Sequence, residues 1–191
     1  MEKQQNIIDF LLSRRSHPAK TLKDPAPDKD EIKVLLTAAM RSPDHGKLEP
    51  WRFIILQKKA LERLATNAKL RAKELNLSED SQNKIDFFFR NSPLSVAVIS
   101  SPKMSEKIPQ IEQTLSAGAV CLALVNASLA SGWGASWLTG WTSRDRPFLE
   151  NELLLESHEF VAGYVHIGTK SFQPPERPRP DFETITKVLK N

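Results

Sequence analysis

The sequence has 191 residues, which is enough for one domain with a substantial hydrophobic core. Hydrophobic residues make up 40% and charged residues 26%, and the net charge of +4 is spread along the chain rather than collected in runs. This distribution argues against nucleic acid as a partner and favours small anionic ligands. The single cysteine, Cys121, excludes an intrachain disulfide, fits a reducing compartment and indicates a cytoplasmic protein.

The first apolar-periodic segment covers residues 4–15, where isoleucines and leucines recur at helical spacing. It ends in Arg14, Arg15 and Ser16. Cations at this position can simply complement the helix dipole and bind its last carbonyl groups. Two planar guanidinium groups beside a hydroxyl also suit a phosphate monoester. Taken alone, the three residues favour the first interpretation, and the rest of the chain must decide.

Hydrophobic periodicity and breaker residues predict the remaining elements in chain order. Further helices are predicted from Asp28, which has capping-box spacing to Glu31, to about residue 41, and over residues 59–75 and 109–131. Aromatic and β-branched runs predict strands over residues 51–57, 94–100, 135–138 and 160–167. We expect a loop at 17–27, a polar connector at 76–83 and a short apolar segment at 85–89.

Long helices with a few strands, without regular alternation, indicate an α+β fold in one domain, residues 1–191. The helix over 109–131 is apolar nearly all round, so its own domain or a second copy must cover it. Residues 173–180 are held extended by proline and should lie across another surface. No stretch is expected to span a membrane, and the polar N-terminus does not resemble a signal peptide.

Several chemistries lack their signatures in this sequence. Gly132-Trp133-Gly134 has no third glycine for a dinucleotide fingerprint and follows a helix instead of a strand. The four histidines have no metal-ligand spacing among themselves or with Cys121, so no metal site is predicted. No nucleophile elbow is present, and no side chain stands out as catalytic. A bound cofactor is therefore expected to carry the reaction.

Four sequence blocks in order resemble the nitroreductase family of FMN-dependent oxidoreductases, and most closely its short members. The blocks are Arg14-Arg15-Ser16, then Met40-Arg41-Ser42-Pro43-Asp44-His45 leading to Pro50-Trp51, then Gly134-Ala135-Ser136-Trp137-Leu138-Thr139-Gly140, and finally Gly163-Tyr164-Val165-His166-Ile167-Gly168-Thr169. The resemblance covers essentially the whole chain. It implies a nitroreductase-like α+β fold, with a mixed central sheet flanked by helices, in a homodimer with two FMN sites at the subunit interface.

The resemblance also assigns roles to individual residues. It implies that Arg14, Arg15 and Ser16 hold the FMN phosphate and ribityl chain, and that Arg41 and His45 contact the flavin or its ribityl chain. Trp137, Leu138 and Thr139 would lie along the flavin. In family members that use a nicotinamide nucleotide, the corresponding contacts would come from the end of the central helix: Ala127, Ser128, Leu129, Ala130, Ser131 and Gly132.

The implied function is electron transfer from NADH or NADPH, through FMN, to a nitroaromatic, quinone or similar small acceptor. The alternative is a non-catalytic flavin-binding module, or a flavin enzyme with a different physiological reaction. The chain departs from many nitroreductases at Lys47 and Glu49, where asparagine and glutamine are common, so flavin tuning and acceptor preference stay open. Whether Arg177 or Arg179 reaches the phosphate also stays open.

Overall fold

The computed structural model describes residues 4–189. Within this range it contains seven α-helices: α1 (Gln5–Ser13), α2 (Lys29–Ala39), α3 (Lys58–Glu74), α4 (Glu79–Ile85), α5 (Gln110–Ala130), α6 (Arg146–Leu153) and α7 (Phe182–Ile185). The same range contains five strands: β1 (Leu22–Lys23), β2 (Trp51–Leu56), β3 (Leu94–Ser100), β4 (Gly134–Leu138) and β5 (Phe160–Lys170). The four predicted strands and four predicted helices are confirmed, with shifts of up to three residues at their ends.

The five strands form one sheet in which β5 is the central strand. Val165 of β5 pairs with Val96 of β3 and with Trp137 of β4, so β5 lies between these two strands. The order is β1-β5-β3-β2, with β4 also paired to β5. All four recorded strand pairs within residues 4–189 are antiparallel. The predicted α+β class and the helix-flanked central sheet are confirmed.

Helices cover both faces of this sheet, and alternation along β3 separates the two cores. Ala97 and Ile99 point to a core that includes α3 and α6, with Leu61, Leu64, Phe148 and Tyr164 among its members. Val96 and Val98 point to a core that includes α2 and α5, with Leu35, Val120, Leu124 and Val165. The two cores fix α5 against the face on which the candidate site lies.

The predicted capping box at the start of α2 is confirmed. The Asp28 carboxylate accepts hydrogen bonds from the backbone N–H groups of Asp30 and Glu31, both at 2.9 Å. The Glu31 carboxylate accepts one in return from the Asp28 N–H at 2.9 Å. These bonds satisfy donors that a helix start leaves without partners, which is why the helix begins here.

The expectation that no stretch is long and apolar enough to span a membrane is wrong on length and composition. Within residues 4–189, α5 alone meets both criteria, with 44% of its most apolar window buried. The core helix of a soluble protein meets the same criteria. In this fold Ala117, Val120 and Leu124 of α5 are fully buried, and Cys121 lies with them. Burial raises the pKa of the Cys121 thiol to about 12, so it stays protonated.

Four segments differ from the sequence prediction, and in two of them a side-chain cap starts a helix that was not predicted. The connector predicted at 76–83 contains the start of α4, whose cap Ser78 accepts a hydrogen bond from the Ser81 N–H at 3.4 Å. The segment at 85–89 continues it as a π-helix, Asp86–Arg90. The missed α6 begins at Asp145, which accepts from the Phe148 N–H at 3.0 Å. The loop at 17–27 contains β1 and a short 3₁₀ turn, Ala19–Thr21.

Candidate active site

A cluster of basic side chains lies where α1 ends. The backbone leaves the helix at Arg14, whose Nη2 donates to Ser16 Oγ at 3.0 Å. Arg14 and Arg15 are half-buried, and neither forms an ion pair with another residue in the range 4–189. Arg14 Nε is buried without a hydrogen-bond partner. A buried donor on a cation without a counterion costs free energy, and a bound anion would offset this cost.

The C-terminal tail adds a third arginine to this cluster. Arg15 Nε donates to the Pro175 carbonyl oxygen at 3.1 Å, and Pro174 beside it is buried. Burial lowers the pKa of Arg14, and repulsion from Arg15 and then Arg179 lowers it further. Arg179 also pairs with Glu176 at 3.0 Å. Residues 173–180 form no helix or strand, in agreement with their prolines, and the first part of this tail contacts the chain's own basic cluster.

The basic cluster is attached to β4 through the backbone of the next residue. His17 donates its N–H to the Ala135 carbonyl oxygen at 2.9 Å. Trp137 follows two residues later on the same strand, roughly 7 Å along it at 3.3 Å per residue. The structure therefore brings the predicted Arg14-Arg15-Ser16 segment and the predicted Trp137-Leu138-Thr139 segment close together.

Two glycines make room for the Trp137 indole. A Cβ on Gly163 would come within 1.9 Å of Trp137 Nε1, so the ring lies directly over the β5 backbone. Nε1 donates to the Ala162 carbonyl oxygen at 3.3 Å. The nearest ring atom would be 3.9 Å from a Cβ on Gly118 of α5. The indole is thus fixed between helix and sheet with 40% of Trp137 exposed.

Trp137 and Thr139 line an open groove of about 540 Å³. Its walls come from α5, the end of β4, α6 and the start of β5, and include Thr114, Gly118, Arg144, Leu149, Phe160 and Ala162. The exposed lining is mostly apolar, which suits a planar aromatic ligand with few polar edges. Leu138 is half-buried beside it.

The loop that carries Arg41 and His45 lies elsewhere in the single chain. His45 Nδ1 and Glu112 Oε2 are 2.7 Å apart. This pair lines a second groove, of about 490 Å³, which shares no lining residue with the Trp137 groove. Lys47 and Glu49 have left-handed backbones, at φ 54° and 48°, and both are exposed. Within residues 4–189, no hydrogen bond or ion pair of the Arg41 or His45 side chain reaches Arg14, Arg15 or Ser16.

The segment predicted to bind the nicotinamide nucleotide ends α5. Ala127 and Ala130 line a third groove, of about 650 Å³, with α1 and α2. Ser128 is fully buried and donates its hydroxyl hydrogen to the Leu124 carbonyl oxygen at 2.8 Å. Gly132 closes the helix with φ +89°, while Leu129 is half-buried and Ser131 exposed. The structure does not join this segment to the Trp137 groove within one chain.

The model of one protein family, described as the nitroreductase family, matches residues 11–169. The matched range holds all four sequence blocks and the whole sheet except Lys170, the last residue of β5. The chain belongs to the nitroreductase family.

Individual relatives of this nitroreductase-family chain agree in length and fold. A Haemophilus influenzae protein whose name includes the words NAD(P)H nitroreductase is 34% identical over 167 residues, covering 86% of this chain and 88% of the relative. The structure of a nitroreductase-like family protein from Bacillus cereus matches with a TM-score of 0.81 at 21% identity, over 100% of both chains. A Bacteroides fragilis nitroreductase with bound FMN matches with a TM-score of 0.72 at 20% identity, over 98% and 100%.

Sequence reasoning missed three residues that shape this site. Gly163 lies in one of the resembling blocks, and a glycine inside a strand is a known sign of close approach. Glu112 fixes His45, but it is 67 positions away along the chain and gives no local signal. His17 follows Ser16 directly and is buried, which its polar neighbours do not indicate.

Proposed function

We propose that this chain is an FMN-dependent oxidoreductase that takes electrons from NADH or NADPH and passes them to a nitroaromatic, quinone or similar small acceptor. Family membership, the relatives' names and the FMN in the Bacteroides fragilis structure support this. The observation that carries it is that Arg14 and Arg15, which have no carboxylate partner among residues 4–189, adjoin a groove lined by an indole.

The basic cluster fits the phosphate of FMN. A phosphate monoester carries about −1.5 to −2 charges at neutral pH and has three strong acceptor oxygens. The planar guanidinium groups of Arg14 and Arg15 and the Ser16 hydroxyl would hold it, and the orphaned Arg14 Nε would gain a partner. Arg179 already acts on Arg14 electrostatically and would add to the same anion's stabilisation.

The β4 segment fits the ring system. Trp137, Leu138 and Thr139 would lie along the flavin, with the Trp137 indole preset by Gly163. When bound, FMN supplies the hydride and electron chemistry that no side chain here can perform. The chain's task is to hold the ring and to shape the space in which nicotinamide and acceptor bind in turn. We propose no side chain as the obligatory acid or base.

A second copy of the chain would complete this site. Apolar side chains of α1 and α5 face solvent in one chain: Ile7, Ile8, Leu11, Leu12, Ile111, Leu115 and Leu122. The single chain exposes 12204 Å², against about 9,200 Å² expected for a compact monomer of 21.5 kDa. We propose a homodimer, burying more than about 2,000 Å², in which Arg41, His45 and residues 127–132 reach the partner's flavin.

Two measurements test the proposal. The absorbance spectrum of the purified protein should show flavin bands, and the protein should oxidise NADH or NADPH faster when a nitroaromatic or quinone is added. A yellow protein that turns over with neither nucleotide would favour the flavin-binding module or a different flavin reaction. Sedimentation at micromolar concentration should give a dimer, and a monomer with flavin still bound would contradict the shared site. A cytoplasmic location is proposed with it.

A further inference from the structure

His17 is a buried histidine whose ring makes no well-aligned hydrogen bond within residues 4–189. Only 5% of the residue is exposed, and among these residues neither Nδ1 nor Nε2 has a partner in good hydrogen-bond geometry. Buried polar atoms are normally satisfied, so two such nitrogens on one ring need an explanation. The Gln173 side chain of the tail lies near the imidazole and raises its pKa, but burial and the charges of Lys170 and Arg15 lower the pKa overall.

The ring lies within the basic cluster. His17 is bonded through its N–H to Ala135, and a Cβ on neighbouring Gly134 would be 3.2 Å from Lys170 Cβ, so the end of β5 adjoins this point. Burial lowers the His17 pKa most, followed by the charges of Lys170 and Arg15. These effects favour the neutral ring while the cluster holds no anion.

The charged groups around His17 come from three parts of the chain. Arg14 and Arg15 belong to its own segment, Lys170 to the end of β5, and Arg179 to the tail, where it acts on Arg14. Among the described residues, no carboxylate contributes to the pKa shift of either Arg14 or His17. A bound dianion would reverse the sign of the potential at the ring and favour imidazolium.

We propose that the His17 imidazole is a further ligand of the phosphate monoester in this cluster, and that it takes up a proton as the monoester binds. The proposal rests on the proposed function and deepens it, because retention of the phosphate-bearing ligand then becomes pH-dependent. Linkage gives the direction of the pH dependence. If binding of the monoester raises the His17 pKa, the affinity for the monoester increases as pH falls through the His17 pKa of the bound state. Each unit of increase corresponds to a tenfold gain once the free ring would also be protonated.

The first test follows the imidazole directly. NMR titration of the wild-type protein, freed of bound flavin, with inorganic phosphate, against sodium chloride at equal ionic strength, measures the His17 pKa. The signal is assigned by its loss in His17→Gln. We expect phosphate to raise this pKa by about one unit or more. A His17 pKa that is the same in phosphate and chloride would overturn the proposal. The variant His17→Gln serves only to assign the NMR signal, so this result does not depend on how well the variant folds.

The second test compares FMN with riboflavin, which lacks the phosphate. We expect wild type and His17→Gln to bind FMN with similar Kd at pH 8.5, and the affinity advantage of wild type to grow severalfold by pH 5.5. The FMN phosphate itself titrates near pH 6, but this affects both proteins alike and cancels when their Kd values are divided. The exposed His158→Gln should behave as wild type at both pH values.

The outcomes separate the two proposals. The deciding quantity is the Kd of His17→Gln divided by the Kd of wild type. If this ratio does not change with pH for FMN, or changes equally for riboflavin, the role of His17 is overturned and the proposed function stays intact. A wild-type protein that binds no FMN would contradict the proposed function. In that case the phosphate titration alone decides whether His17 belongs to an anion site.

Discussion

Arginines on the two sides of the sheet meet different partners. On the side of α3 and α6, Arg52 makes two hydrogen bonds to Glu159 at 2.7 and 2.6 Å, and Arg71 makes two to Asp145 at 2.9 and 3.1 Å. At the end of α1, Arg14 and Arg15 have no carboxylate partner among the residues that the structure describes. A paired cation stabilises the fold, whereas a half-buried unpaired cation is retained at a cost that a ligand offsets.

The pKa values of the carboxylates that pair with Arg52 and Arg71 show the same difference between the two sides of the sheet. Arg52 lowers the pKa of Glu159 to about 2, and Arg71 lowers the pKa of Asp145. For each acid the pKa is depressed in the folded state, so its stabilisation is complete above pH 4 to 5 and is lost as pH falls through the folded-state value. The basic cluster instead shows a lowered pKa on the cation itself, Arg14, through burial and repulsion. Charge compensation thus distinguishes structural arginines from those available to an anion.

The largest expected effect comes from removing the unpaired arginines. Arg14→Ala with Arg15→Ala should weaken FMN binding at least 100-fold, because each charge-assisted hydrogen bond contributes roughly 1.5–3 kcal/mol. Fluorescence titration of FMN measures this change. The free energy of unfolding without FMN should fall by less than about 1 kcal/mol, since no native ion pair is lost. Wild-type affinity in the double variant would contradict the phosphate assignment.

The matching control removes a paired arginine. Arg71→Ala leaves Asp145, the cap of α6, without its partner. It should lower the unfolding free energy and leave FMN affinity within about threefold, because Arg71 is remote from the basic cluster. If both arginine variants affected binding and stability alike, the contrast between the two sides of the sheet would fail.

The second prediction uses His166, a buried histidine outside the basic cluster. Its Nδ1 is 3.0 Å from Ser92 Oγ, and complete burial lowers its pKa to about 4. Between pH 6.5 and 4 the unfolded state binds more protons, so stability should fall as pH falls, by roughly 3 kcal/mol in all. Urea denaturation at a series of pH values measures the slope. His166→Gln should flatten it, and an unchanged slope would assign the loss to other groups.

The third prediction concerns Trp137. Gly163→Ala would place a methyl group within 1.9 Å of the indole, and overpacking of this kind costs about 1–3 kcal/mol. The indole should move, which changes tryptophan fluorescence and weakens FMN binding. Gly118→Ala is the matched control, since its methyl group would lie 3.9 Å from the ring, an ordinary contact. If both variants bind FMN like wild type, the position of the indole does not affect the ligand.

Local patterns predicted the elements that local forces decide. The apolar run at 94–100 became β3 with the same bounds, and the Asp28 capping box starts α2. Contacts between distant segments had no such signal. Arg15 donates a hydrogen bond to Pro175, which is 160 positions later in the chain. Gly163 contacts the Trp137 indole only because β4 pairs with β5. The predicted apolar face of α1 is present but has no buried residue, because one chain offers nothing to cover it.

The smallest expected effect is at Lys47, which is exposed in one chain and has a left-handed backbone. If a second copy brings its ammonium group to about 4 Å from the flavin pyrimidine ring, it stabilises the negative charge of the reduced ring. For a water-exposed pair this is worth about 1 kcal/mol. The midpoint potential should therefore fall by about 20 mV in Lys47→Met, since 1.4 kcal/mol corresponds to about 30 mV for two electrons.

Potentiometric titration of the flavin-loaded protein measures this shift, and His45→Ala provides the comparison. His45 is held by Glu112, whose negative charge offsets that of an imidazolium, so its removal should change the potential less than removal of Lys47. Equal potentials in wild type and Lys47→Met would make the lysine a surface charge. A larger shift of the midpoint potential in His45→Ala would show that His45 tunes the flavin. The basic group nearest the flavin ring would then be His45 and not Lys47, two residues later in the same loop.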